Sequence, residues 1–110
     1  MAAYGTHKPN KMNGTETKMA ILLEEQKRNG TILDYKFEAV TLKLADDTRY
    51  TPDFMVTKPD FEIQFIEVKG FWRDDAKVKI KVAAAMFPFV FVACRLKPKK
   101  DGGGWERVWY

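Results

Sequence analysis

FEIQFIEVK (residues 61–69) is apolar on both faces as far as Val68, through Phe61, Ile63, Phe65, Ile66 and Val68, yet it closes on Glu67 and Lys69. A strand apolar on both faces belongs at the centre of a sheet that is covered above and below. A second run of this kind, FVFVACR (residues 89–95), follows it. Between them lies a helical pattern: Asp74 or Asp75 as the N-cap, an apolar stripe of Ala76, Ile80, Ala83, Ala84 and Phe87, and Pro88 as the stop. A helix joining two buried strands makes a crossover with the strands parallel, right-handed by the general rule.

Outward from this unit, the turns TKPD (residues 57–60) and ADDT (residues 45–48) bound a strand over about residues 49–56. Before it, apolar residues alternate as Leu33, Tyr35 and Phe37, then change parity to Val40, Leu42 and Leu44, which predicts one strand with a bulge or bend near Ala39. Met19, Leu22, Leu23 and Gln26 recur at helical spacing over residues 15–28, and Asn29-Gly30 stops that helix. After residue 95, KPKKDGGG (residues 97–104) reads as a mobile loop and WERVWY (residues 105–110) as an edge strand. The expected fold is α/β, a central mixed sheet with helices packed against it.

At 110 residues and 45% hydrophobic, the chain holds one domain with enough apolar material for a core, preceded by a flexible segment over residues 1–12. A lone Cys94 excludes an internal disulfide, and a lone His7 in polar surroundings argues against zinc. No apolar run approaches the ~20 residues a membrane span needs, and MAAYGTHKPNKMNG has no signal-peptide centre, so a cytoplasmic protein is expected. The net charge of +4 suits a polyanionic partner. Its cations fall in three clusters: Lys8, Lys11 and Lys18; then Arg73, Lys77, Lys79 and Lys81; then RLKPKK (residues 95–100).

Because strand side chains alternate, Glu67 and Lys69 project from one face, about 6–7 Å apart along the chain. Asp53 follows Pro52 in the neighbouring strand, where the turn can set its carboxylate opposite Glu67. Two converging carboxylates repel unless a cation lies between them. Hard carboxylate and carbonyl oxygens suit magnesium, which keeps several waters and can activate one toward a phosphodiester. Lys69 would add a point charge at the attacked phosphate.

Pro52-Asp53 followed fourteen positions later by Glu67-Val68-Lys69 resembles the PD-(D/E)XK signature of restriction-endonuclease-like nucleases. YTPDF (residues 50–54) and EVKGFW (residues 67–72) resemble in particular the phage endonuclease I family of Holliday-junction resolvases and related small phage nucleases. In that family an N-terminal helix presents a glutamate after a glycine, as GTE (residues 14–16) does with Glu16. The resemblance covers about residues 13–72. It implies a restriction-endonuclease-like core and a magnesium-dependent DNA endonuclease, with manganese substituting, that acts on branched or structured DNA as a homodimer. It also implies metal ligation by Asp53, Glu67 and the Val68 carbonyl, a second metal at Glu16, directly or through water, and Lys69 as the catalytic lysine. No small-molecule cofactor is implied. Family members exchange N-terminal elements through a long bridging segment, whereas ADDT suits a plain hairpin.

Other readings stand beside these. Asn13 and Glu16 form a capping-box pattern, a role compatible with ligation. Lys18, Arg73, Lys77, Lys81, Lys97, Lys99 and Lys100 are the candidate DNA-phosphate contacts, with an ordinary solvated face as the alternative for Lys77 and Lys81. Phe71 and Trp72 read as core. Trp105, Trp109 and Tyr110 could stack bases or pair with another subunit, and Val78, Val82 and Ala85 make a second apolar row on their helix. A DNA-binding module of the same fold, or a nicking, flap or RNA-directed nuclease, is the alternative function.

Overall fold

In the computed structural model, residues 4–6, 10–69 and 74–110 are described. The elements run β1 (Tyr4–Thr6), α1 (Gly14–Arg28), β2 (Asp34–Phe37), β3 (Val40–Ala45), β4 (Thr48–Tyr50), β5 (Phe54–Thr57), β6 (Ile63–Lys69), α2 (Asp74–Met86), β7 (Val90–Leu96) and β8 (Trp105–Trp109). They form a mixed five-stranded sheet in the order β2-β5-β6-β7-β8 and a three-stranded sheet in the order β1-β3-β4. The expected α/β class and the central place of β6 both hold. β6 and β7 are parallel, with Lys69 opposite Arg95, and every other neighbouring pair in the large sheet is antiparallel. Within the segment expected to be flexible, Tyr4–Thr6 pairs with β3.

Four local features shape this frame. The Asn13 side chain accepts from the Glu16 N–H at 2.8 Å, and Glu16 Oε1 accepts from the Asn13 N–H at 2.9 Å, so the capping box starts α1 at the anticipated place.

The two long strands expected over residues 33–44 and 49–56 are each divided. β2 pairs with β5 in the large sheet and β3 with β4 in the small one, so a single bent hairpin belongs to both. At the bend Glu38 takes a φ of 46°, and Pro52 has no N–H to continue a ladder. The Glu38 N–H donates to the Asp53 carbonyl at 2.8 Å, and the Thr41 and Thr51 hydroxyls are 2.7 Å apart, tying the arms together.

Phe61, expected inside the central strand, instead sits in the turn before it. There its N–H donates to the Lys58 carbonyl, its φ is 68° and its ring is 76% exposed.

KPKKDGGG is likewise a built turn, a correction to the mobile loop expected. The Gly103 N–H donates to the Pro98 carbonyl and the Lys97 N–H to the Gly104 carbonyl. Gly102, Gly103 and Gly104 all take positive φ, a run that side chains would strain.

Two cores flank the large sheet. Met19 and Leu23 of α1 cover Phe54, Val56, Ile66, Val68 and Val92 on one face. Ile80 and Ala83 of α2, with Leu42 and Tyr50 of the small sheet, cover Phe65, Phe91 and Ala93 on the other. Strand alternation therefore turns Glu67 and Lys69 toward the face occupied by α2 and the small sheet. Val78 and Met86 stay about half exposed, and Val82 and Ala85 are exposed beside them, so within the described residues the second apolar row of α2 remains open.

Candidate active site

Strand β5 leaves the edge of β6 at Phe54, which pairs with Ile66, and residues 51–53 cross from one sheet to the other. Main-chain groups of β6 beyond that point lack a strand partner on this side. Asp53 supplies one: its carboxylate Oδ2 accepts the Val68 N–H at 2.7 Å. The N–H and C=O of one strand residue point to the same side, so the Val68 carbonyl lies on the edge that Asp53 faces.

Glu67 is held at both oxygens. The Tyr50 hydroxyl donates to Oε1 at 2.8 Å, and the Lys69 ammonium lies 2.8 Å from Oε2. Asp53 and Glu67 are the two buried charged residues among those described, 9% and 6% exposed. Burial foremost, and then the charge of Glu67, push the Asp53 carboxyl up to about 8; the Val68 N–H opposes the rise and the charge of Glu16 adds to it. Burial raises Glu67 as well, against the pull of Lys69 and Tyr50. Burial works to lower Lys69, but the attraction of Glu67 prevails and holds the ammonium above its ordinary value. The structure thus joins Asp53, Glu67 and Lys69 as the spacing leads one to expect, with the Val68 main chain, which only the resemblance implies, between them.

Tyr50 was not anticipated. It opens the motif YTPDF, but only the bend at residues 51–53 carries the end of β4 over Glu67.

Glu16 stands apart from this group. It occupies the third position of α1 with Oε1 bonded to Asn13, and it acts on Asp53 and Glu67 through its charge. The capping reading holds.

Lys97, Lys99 and Lys100 follow the C-terminal end of β7, at the same end of the sheet as Lys69 because β6 and β7 run parallel. Lys99 and Lys100 are exposed, as are Lys18 on α1 and Lys77 and Lys81 on α2. Arg73, Phe71, Trp72, His7 and Lys8 lie outside the described residues. Trp105 packs against the α1-side core, while Trp109 is exposed.

Among the described residues no three Asp, Glu, His or Cys side chains converge closely enough to hold a metal by themselves. What the site offers is two buried, mutually repelling carboxylates beside a main-chain carbonyl, a hard oxygen set of the kind magnesium accepts when water completes its shell. The donor types fit. No helix of the described residues is long and apolar enough to cross a membrane. Comparison with known proteins found no match to any family model, curated protein or solved structure.

Proposed function

We propose that this chain is a magnesium-dependent DNA endonuclease with a restriction-endonuclease-like core, acting on branched or structured DNA. One observation carries the reading: Asp53 and Glu67 are buried together against their own repulsion, with Lys69 beside them, at the open end of the central strand. A protein keeps such an arrangement at a cost unless a cation offsets it. The order α1, strands β2 to β6, α2 and β7, with a mixed sheet flanked by the two helices, supports the fold that the PD-(D/E)XK resemblance implies.

In this reading Asp53, Glu67 and the Val68 carbonyl hold the metal, and Glu16 contributes through its charge or through water. Bound there, magnesium would neutralise phosphodiester charge and lower the pKa of a water. Lys69 is kept protonated by Glu67 and places a positive charge next to the attacked phosphate. Lys97, Lys99 and Lys100, on the rim at the same end of the sheet, contact flanking phosphates, with Lys18, Lys77, Lys81 and Arg73 as further contacts. A homodimer would present two such sites to a junction.

The test is cleavage of labelled four-way junction, flap and linear duplex DNA by the wild type and by Asp53→Ala, in magnesium, calcium and chelator. Cutting by the wild type in magnesium alone, with the junction preferred, is the expected result. Gel shifts without cutting would replace the nuclease with a DNA-binding module.

A further inference from the structure

We infer that Tyr50 is a positioning residue for the metal site, holding the Glu67 carboxylate in its ligating orientation from across the boundary between the two sheets. The inference rests on the endonuclease reading above and adds to it a residue from the small sheet.

The geometry is specific. Tyr50 ends β4, is 7% exposed and packs in the core with Leu42, Phe65 and Phe91, so its ring has little freedom. Its hydroxyl donates to Glu67 Oε1 at 2.8 Å. Lys69 takes the other oxygen at 2.8 Å, but its stem is long, half-buried and unbranched, and it leaves the carboxylate free to swing with it. Each carboxylate oxygen has two acceptor sites, so one bond to Tyr50 and one to Lys69 leave a lone pair on each oxygen for a cation. The two donors together set the plane in which those lone pairs point. A rigid, buried phenol is the better anchor of the two, because its hydroxyl is carried on a ring held within the core. Partners of this kind, which orient a ligand without touching the metal, commonly account for a 10- to 100-fold difference in metal affinity.

The bond also explains why the bent hairpin matters to the site. The crossing at residues 51–53 sets Asp53 against the Val68 main chain and Tyr50 against Glu67, so it delivers both a ligand and the anchor for its partner.

The experiment measures calcium binding by calorimetry on the full chain, comparing the wild type with Tyr50→Phe, Glu67→Gln and the double variant, with thermal melting and circular dichroism alongside. Tyr50→Phe keeps the ring and removes only the hydroxyl. Expected is a loss of calcium affinity of about 10-fold or more in Tyr50→Phe, with no further loss when it is added to Glu67→Gln. A purely structural tyrosine would weaken both backgrounds alike, and that result overturns the inference. So does unchanged affinity in a folded Tyr50→Phe. Should that variant not fold, Glu67→Asp serves, since it draws the carboxylate away from the hydroxyl while keeping its charge; undiminished calcium affinity there also overturns the inference. Wild-type protein that binds no calcium and cuts no DNA in magnesium would instead bring down the endonuclease reading, and this inference with it.

Discussion

Val68 donates its main-chain N–H to the Asp53 carboxylate at 2.7 Å, across a separation of 15 residues. The acid stands in for the strand that β5 no longer provides, so it stabilises the end of β6 that β5 leaves unpaired, next to Glu67. Its structural part and its proposed chemical part are made by different oxygens and lone pairs of one group.

Stability of the metal-free protein should fall as pH rises. Asp53 is raised to about 8 when folded, against about 3.9 in an unfolded chain. The proton it retains supplies stability that is complete below about pH 4 and is lost as pH rises through about 8. The decline should reach up to about 1.4 kcal/mol per pH unit, and Asp53→Asn should flatten it. Urea unfolding at about pH 5 and about pH 8 checks this; parallel curves for both proteins would refute it.

Glu16→Gln separates the two roles of Glu16. Glutamine still offers an oxygen to the Asn13 N–H, so stability should stay within about 0.5 kcal/mol. The charge that raises Asp53 disappears, and the Asp53 carboxyl should titrate lower. Carbon-detected NMR titration of that carboxyl reads the shift directly.

Phe54 lies beside Asp53, fully buried, with ring centroids 5.3 Å from Phe37 and 6.4 Å from Tyr35. Phe54→Ala should cost about 3–5 kcal/mol, a large share of the stability of a small domain, and lower the melting temperature by on the order of 15–25 °C. A drop of only a few degrees would mean that the core closes around the gap.

The rim after β7 should reveal itself through salt. Replacing Lys97, Lys99 and Lys100 with glutamine should reduce the slope of log affinity against log salt by about 2–3, one for each lost phosphate contact. Fluorescence anisotropy with a junction at several salt concentrations measures it, and an unchanged slope would remove these lysines from the DNA interface.

Most of the fold was legible in the sequence wherever it depended on local periodicity. The two-faced apolar runs of β6 and β7, the Asn13 cap of α1 and the Pro88 stop of α2 all hold. Periodicity failed where a turn intervened: Phe61 fits the strand pattern, yet the hydrogen bonds of residues 58–62 close a turn around it and expose its ring.

The sequence by itself determined that Glu67 and Lys69 share a face at the end of the central strand, because alternation is a property of the extended backbone. Only the tertiary structure decided what meets them there. Residues 51–53 could have continued one strand; instead they cross between sheets, setting Asp53 against Val68 and Tyr50 against Glu67. Which sheet a strand joins is settled by contacts between distant segments, and no spacing within a segment records them.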